Sequence, residues 1–335
     1  MRAVIISKPG GPEVLSIEER PVPQPGPGEI RVRVHASALN RADLLQRRGN
    51  YPAPPGAPAD IPGLEYAGEV DAVGEGAGLW AVGNRVMGIV GGGGHAEYVV
   101  VHEREGIRIP QNLSWEEAAA IPEVFLTAYD ALFRQLDLTM GERLLILAVG
   151  SGVGTAALQL AGAAGATVIG TSRTAAKLKQ ATEMGLEVGV DTSKEDLAEA
   201  VNQATYGSGV HAVLDLVGGN LLEASLRVVA LSAVTEVGSG QTVIVLRGGM
   251  DGLNFIVPKL EWLFWGWLKA FIQYSFVPVV AIAFQSHRDQ GDNGREYGES
   301  SIDRVGHFAL NEPVHLPRFF DRQAEKVLTA LRPTC

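Results

Sequence analysis

One stretch constrains this chain more than any other: Arg143-Leu-Leu-Ile-Leu-Ala-Val-Gly-Ser-Gly-Val-Gly-Thr155, followed by Ala156-Ala-Leu-Gln-Leu-Ala161. An apolar run bounded by Arg143 and by glycine reads as a buried strand. Gly150, Gly152 and Gly154 read as a tight turn, and the alanine-rich run as a helix. Strand, glycine turn and helix start together can hold a phosphate, because glycines let backbone N–H groups approach and the helix dipole favours negative charge. The spacing is not a regular G-x-G-x-x-G, since counting from Gly150 the third glycine would fall at Thr155. No Lys-Ser/Thr pair follows, which excludes a P-loop. Taken alone, the stretch fits an ordinary glycine-rich strand-to-helix turn as well as a phosphate cradle.

The surrounding pattern favours the cradle. From Met1 to about Pro122, short strands separated by Gly/Pro punctuation are expected at Ala3–Ser7, Leu15–Glu19, Glu29–Ala38, Tyr66–Val73, Arg85–Ile89 and Ala96–Val101. This spacing argues for a β-rich, barrel-type domain. Pro21–Gly28 and Asn50–Pro62 read as exposed loops. Residues 114–136 read as a helix with Ser114 as N-cap and an interruption at Pro122. Strands at 143–149, 167–171, 187–191, 211–217 and 241–246 then alternate with helices at 153–164, 174–184, 194–206 and 221–231. Such alternation predicts a doubly wound parallel sheet, so the fold class is α/β with a Rossmann-type half. The divisions expected are 1–122, 123–257 and 258–335.

The second expected strand of that sheet ends at Thr171-Ser-Arg-Thr-Ala-Ala-Lys177. Dinucleotide sites that select NAD place an acid here for the ribose 2′-hydroxyl; Arg173 and Lys177 without a carboxylate suit a 2′-phosphate, hence NADP. The alternative is a solvated helix start, although cations at a helix N-terminus oppose the dipole.

Charge and cysteine content remove other classes. With 28 basic and 38 acidic residues, the net charge of −10 gives no footprint for nucleic acid. Cys335 is the one cysteine, so intrachain disulfides and multi-thiolate zinc sites are excluded, in keeping with a cytoplasmic location. Met1-Arg-Ala-Val-Ile-Ile-Ser reads as a strand, not a signal peptide. Residues Ser232–Gly240 read as an inserted loop and Gln285–Glu299 as a polar one, and 318–331 has a weak helical pattern. Pro258–Ile272 reads as a helix with Leu260, Leu263, Phe264, Trp267, Leu268 and Phe271 on one face. Burial in a core or a dimer interface competes there with a membrane span over Trp262–Phe284, which Lys269, Gln273 and Pro278 interrupt.

Several stretches jointly resemble the zinc-independent medium-chain dehydrogenase/reductases, specifically the zeta-crystallin-like quinone oxidoreductases of the tumour-suppressor-inducible branch. They are Lys8-Pro-Gly-Gly-Pro-Glu, Ala38-Leu-Asn-Arg-Ala-Asp-Leu, Pro62-Gly-Leu-Glu, Gly91-Gly-Gly-Gly-His-Ala-Glu-Tyr, Ala118-Ala-Ala-Ile-Pro-Glu with Leu126-Thr-Ala, Ser151-Gly-Val-Gly-Thr-Ala-Ala-Leu-Gln-Leu and Leu214-Asp-Leu-Val-Gly-Gly. The resemblance implies a GroES-like catalytic domain, a Rossmann domain and NADPH in the cleft between them. It implies that Asn40 and Thr127 hold the nicotinamide end, and Ser151, Gly152 and Val153 the pyrophosphate. Arg173, Thr174 and Lys177 would take the adenosine phosphate, Val217, Gly218 and Gly248 the remaining nicotinamide wall, and Tyr51 would be the substrate-side aromatic. Zinc-dependent relatives carry a cysteine and a histidine where Asn40 and Leu64 stand, so no metal is expected.

The departures are a valine at 149 where relatives have glycine, Thr192 where they have tyrosine, and a C-terminus that matches nothing after Gln285. Val149 and Thr192 are expected to weaken nucleotide binding. Hydride transfer to a quinone or enone is the cofactor's chemistry, and the protein has to hold the partners within reach and exclude water. Tyr51 either meets the acceptor by stacking or hydrogen bonding, or packs as a loop aromatic, and Asn40 is either a ligand or a turn residue. His95 and His102 read as surface or core-edge residues. An NADPH-dependent quinone or enone reductase, assembled as a dimer, is the first expectation. A nucleotide-binding protein without turnover is the alternative.

Overall fold

The computed structural model describes residues 1–229 and, beyond them, three short strands at Thr235–Glu236, Ile244–Arg247 and Phe255–Ile256. The N-terminal half begins with a hairpin of β1 (Arg2–Ile6) and β2 (Leu15–Glu19). After it come β3 (Glu29–Ala36), α1 (Arg41–Arg47), β4 (Glu65–Val73), β5 (Arg85–Ile89), β6 (Tyr98–His102) and β7 (Ile107–Arg108). The five larger-sheet strands lie in the order β6-β3-β4-β5-β7, all antiparallel. Alternate residues point inward, so Ile30 and Val32 of β3 meet Tyr66 and Val70 of β4, Val86 of β5, and Val99 and Val101 of β6 in one core. Each such side chain contributes roughly 1.5–3 kcal/mol by leaving water.

The single helix expected over 114–136 is divided. α2 (Trp115–Ala119) carries the capping box of Ser114 and Glu117, and α3 (Pro122–Tyr129) restarts with Pro122 at its first position, where the missing N–H costs nothing. A wider helical turn, Asp130–Gln135, continues it. The second half then runs β8 (Arg143–Leu147), α4 (Gly152–Ala163), β9 (Thr167–Ser172), α5 (Ala175–Glu183), β10 (Val188–Asp191), α6 (Leu197–Ala204), β11 (Ala212–Asp215) and α7 (Asn220–Leu226). β12 (Thr235–Glu236), β13 (Ile244–Arg247) and β14 (Phe255–Ile256) follow.

The sheet order is β10-β9-β8-β11-β13. Both faces of β8 are covered: Leu144 and Ile146 pack with Leu158 and Ala161 of α4, whereas Leu145 and Leu147 pack with Val201 of α6 and Val213 of β11. That two-sided burial is why the strand is an unbroken apolar run instead of an alternating one. β8 has β9 on one side and β11 on the other, so the turn after β8 stands at the point where the strand order reverses, the usual place for a ligand.

Three expectations need correcting. The fifth strand, β13, runs antiparallel to β11, pairing Ala212 with Arg247 and Asp215 with Ile244, so the sheet is not wholly parallel. An antiparallel neighbour needs no crossover to the far end of the sheet. Thr235–Glu236, expected in a loop, is a strand paired with β14. The loop at 50–62 is not exposed throughout, because Tyr51, Ile61 and Pro62 are buried. Helix α1 and strand β7 were not anticipated, both being too short to show a period.

Among the described residues no helix is long and apolar enough to cross a membrane. The Pro258–Ile272 helix, the Trp262–Phe284 segment, the polar stretch 285–299, the pattern at 318–331 and Gly248 lie outside the described residues.

Candidate active site

The turn after β8 is built to present bare N–H groups. Ala148 takes a left-handed conformation with φ 59°, and its N–H donates to Thr171 Oγ1 at 3.1 Å. This, not Val149, is the strained position of the turn. Val149 does not crowd the nucleotide side, because its side chain is fully buried and rests on β9, where a Cβ on Gly170 would come 2.8 Å from Val149 Cβ. The glycine at 170 therefore makes room for the valine at 149, which corrects the expectation that the valine fills the turn. Gly154 is required for a different reason: a Cβ there would stand 2.5 Å from Ala148 O and 2.8 Å from Val149 O.

Ser151 is the N-cap of α4, its Oγ accepting from Gly154 N–H at 3.1 Å, while its carbonyl accepts from Thr155 N–H at 2.8 Å. The N–H groups of Gly152 and Val153 have no partner among the described residues. Two unsatisfied donors at a helix N-terminus, with exposed Gly152 in front of them, fit a pyrophosphate.

The three residues expected on the adenosine side stand beside this turn. Arg173, Thr174 and Lys177 are exposed at the start of α5, with Thr174 as its N-cap residue and Thr174 N–H donating to Ser172 Oγ at 3.1 Å. The stem of Lys177 crosses the nucleotide turn, since a Cβ on Gly150 would come 2.8 Å from Lys177 Cβ. An acid does lie near: Asp191 pairs in register with Ser172. Its carboxylate is committed elsewhere, however, to Ser193 Oγ at 2.6 Å and Lys194 Nζ at 2.9 Å. The Ser193 and Lys194 bonds hold it down to about 2, ionised. Neither Arg173 nor Lys177 has an ion-pair partner among the described residues.

Val217 and Gly218 follow β11, the neighbour of β8. Their N–H groups both donate to Asp215 Oδ1 at 2.8 Å, and Gly218 and Gly219 take φ of 72° and 64°, which accounts for the glycine pair. This puts both residues next to the nucleotide turn.

At the other end, Asn40 is the residue before α1, with extended backbone, and its N–H donates to Asp43 Oδ2 at 2.7 Å. Its side chain does more than cap a turn: Nδ2 donates to Glu65 Oε1 at 2.7 Å. Glu65, 1% exposed on β4, accepts with its second oxygen from Glu123 N–H at 2.9 Å. Asp43 accepts from Gly63 N–H at 3.0 Å through Oδ1, and His95 Nε2 lies 3.6 Å from its Oδ2. His95 is thus a half-buried edge residue whose Nδ1 meets Ser37 Oγ at 2.8 Å. Three carboxyl groups from α1, β4 and α3 consequently share one partly buried region. Burial raises Glu65, against the two hydrogen bonds it accepts. Burial, and then the charges of Glu65 and Asp43, push Glu123 up to about 7.

Tyr51 is 3% exposed and packs with Ala42, Leu64 and Leu45. Its ring is a packing element and does not offer a free face to a planar acceptor. Burial, then the charges of Glu123 and Asp43, raise its hydroxyl well above the ordinary phenol range. Thr127 lies one turn beyond Glu123 on α3, and Val124 between them touches the nucleotide turn, where a Cβ on Gly152 would stand 3.0 Å from Val124 Cγ1. The start of α3 therefore links the acid cluster to the glycine turn after β8. Sequence reasoning did not single out Asp43, Glu65 or Glu123. The Pro-Glu pair at 122–123 and the Leu-Glu pair at 64–65 were visible, but nothing local said that they meet.

Comparison with known proteins agrees with this layout. Residues 26–111 match the family described as alcohol dehydrogenase GroES-like domain, and residues 152–244 the family described as zinc-binding dehydrogenase. A quinone oxidoreductase of Pseudomonas aeruginosa is 39% identical over 222 residues, 66% of this chain and 68% of that protein. The solved structure of Escherichia coli quinone oxidoreductase complexed with NADPH is 30% identical, with a TM-score of 0.68 over 78% of this chain and 82% of that one. A solved NAD-dependent alcohol dehydrogenase is 34% identical, with a TM-score of 0.65 over 77% and 80% of the two chains. Of three other curated relatives, a quinone oxidoreductase-like protein 2 homolog, a synaptic vesicle membrane protein VAT-1 homolog-like protein and a synaptic vesicle membrane protein VAT-1 homolog, the chain spans 42% to 62% of the length. A GroES-like half joined to a nucleotide-binding sheet, with relatives of this kind, makes the chain a member of the medium-chain dehydrogenase/reductase superfamily and a homologue of its quinone oxidoreductases.

Proposed function

We propose that the protein is a zinc-independent reductase that uses NADPH to reduce a quinone or a related conjugated carbonyl, within the zeta-crystallin-like group. The observation that carries this reading is the union of two features that meet through the start of α3. Gly152 and Val153 N–H groups and the cations Arg173 and Lys177, all without partners among the described residues, stand by one turn, and the position next to Glu65 is held by an amide, Asn40, instead of a thiolate.

Ser151, Gly152 and Val153 would hold the pyrophosphate, and Arg173, Thr174 and Lys177 the 2′-phosphate. Asn40, Thr127, Val217, Gly218 and Gly248 would enclose the nicotinamide. When bound, the nicotinamide supplies the hydride, and the residues around it set distance and exclude water. Asn40 with its Glu65 partner is a neutral hydrogen-bonding group, and Leu64 is buried under Tyr51, so neither can ligate a metal. The homologues leave the choice of cofactor open, one being a quinone oxidoreductase with NADPH and another an NAD-dependent alcohol dehydrogenase. The free cations favour the phosphorylated form. Assembly as a dimer through the apolar segment 262–284 belongs to the same proposal, with sedimentation as its test: a monomer across the micromolar range contradicts it.

The function is tested by titrating NADPH and then adding quinones and enones. Acceptor-dependent oxidation that survives exhaustive chelation supports the reductase. Saturable binding without oxidation supports a nucleotide-binding protein without turnover.

A further inference from the structure

The three acids near Asn40 are not equivalent. Asp43 is used up by Gly63 and Asn40 backbone N–H groups, and Glu65 by the Asn40 amide and the Glu123 N–H. The carboxyl of Glu123 has no hydrogen-bond partner among the described residues and is only partly buried. It sits in the first turn of α3, one turn before Thr127 and beside Val124, which touches Gly152 of the phosphate turn. Glu123 is therefore, among these three acids, the one whose carboxyl is uncommitted among the described residues, on the turn of α3 that meets the glycine turn after β8.

We propose that Glu123 is the proton donor to the reduced acceptor, held in place by Glu65, which accepts from its backbone N–H. The proposal rests on the reductase reading above. Hydride addition to the conjugated carbonyl oxidises the nicotinamide and leaves an electron pair on the acceptor oxygen. The O–H bond of Glu123 then breaks, its proton bonds to that oxygen, and the electron pair of the broken bond stays on the carboxylate. A proton from water restores the acid, so the net change is one hydride and one proton gained by the acceptor.

The competing donor is Tyr51, but burial makes its phenol harder to ionise, whereas an acid titrating near neutrality matches proton transfer at working pH. A carboxyl at a helix N-terminus is ordinarily helped to ionise by the dipole. Here burial and the facing charges of Glu65 on β4 and Asp43 on α1 outweigh that help; Tyr51 also faces Glu123, and His95 Nε2 stands 3.6 Å from Asp43.

The test uses the full chain, with benzoquinone and cyclohexenone as acceptors. Glu123→Gln is expected to bind NADPH within about twofold of the parent and to lose turnover with cyclohexenone on the order of a hundredfold, the scale of general acid catalysis. The fall in kcat above about pH 7 in the parent should vanish in the variant. Independently of turnover, the infrared carbonyl band of a protonated carboxyl should titrate near pH 7 in the parent and be missing in Glu123→Gln. If the glutamine variant does not fold, Glu123→Asp should keep a displaced limb and partial rate. Equal rates and equal pH profiles in parent and Glu123→Gln overturn proton delivery by Glu123 alone. A parent that oxidises NADPH with neither acceptor overturns the reductase reading and this proposal with it. A parent whose kcat has no limb near neutrality overturns the proposal whichever variant folds.

Discussion

The proposed phosphate end, at the turn after β8, and the acid end, around Glu65, are made in opposite ways. At the phosphate end the working groups are backbone N–H donors and exposed cations from two short stretches, 148–154 and 173–177. At the acid end they are side chains from three separate elements, with Asn40 bonded to Glu65 across 25 positions and Glu65 to Glu123 across 58. The first depends on shape, with glycines where backbones close up. The second depends on mutual electrostatics, with three carboxyls sharing a site that cannot ionise them all cheaply. Damage at the phosphate end should thus appear as lost nucleotide affinity, and damage at the acid end as altered pH dependence.

The sharpest break is steric. Gly154→Val forces a side chain where a Cβ alone would stand 2.5 Å from Ala148 O, and backbone cannot yield as a flexible side chain can. A loss of about 3 kcal/mol or more in denaturant unfolding is expected, with no measurable NADPH binding.

Glu123→Gln is the counterpart at the acid end, and its sign is opposite. The folded protein binds the Glu123 proton up to about pH 7, whereas the unfolded chain releases it near the ordinary value of 4.5. The parent therefore loses stability as pH rises from about 4.5 through 7, and glutamine, always neutral, does not. Above about pH 7 the variant should be more stable by about 2 kcal/mol, a figure discounted for partial exposure, and below about pH 4.5 the two should coincide. Thermal melts across pH settle it: a variant less stable at every pH would show that Glu123 is a structural ligand, not a strained acid.

Replacing Arg173 and Lys177 together by alanine should cost NADPH at least about 1.4 kcal/mol, roughly tenfold in affinity, and leave NADH unchanged. Fluorescence titration reads both, and raised salt should shrink the gap because both side chains are exposed. Ser151→Ala removes the cap of α4 and should cost about 1 kcal/mol of stability with a few-fold loss in NADPH affinity, by the same titration. A loss confined to turnover would contradict its place as a cap.

Legibility from the sequence follows the same division. The phosphate turn was readable because strand, glycines and helix are contiguous, and both faces of β8 show in its apolar run. Gly170, which makes room for Val149, was not readable, since the compensation lies on the neighbouring strand. The burial of Tyr51 was also hidden, because a proline-rich loop gives no period from which to tell an anchored aromatic from an exposed one. The acid cluster stayed unread for the reason that makes it work: each acid is unremarkable in its own segment, and only the packing of α1, β4 and α3 sets them against each other. The antiparallel β13 went unread because a helix expected at 221–231 between two strands reads as a crossover to a parallel neighbour, and a strand's direction is not written in its own residues.

The central claim is that the free cations and bare N–H groups of one end serve NADPH-dependent reduction at the other. The direct measurement is acceptor-dependent oxidation of NADPH and NADH side by side, over a panel of quinones and enones, with the full chain after chelation. The account predicts turnover with NADPH, unaffected by chelation, and a kcat/KM at least about tenfold lower with NADH. Equal use of the two cofactors, or activity that leaves with a bound metal, would contradict it.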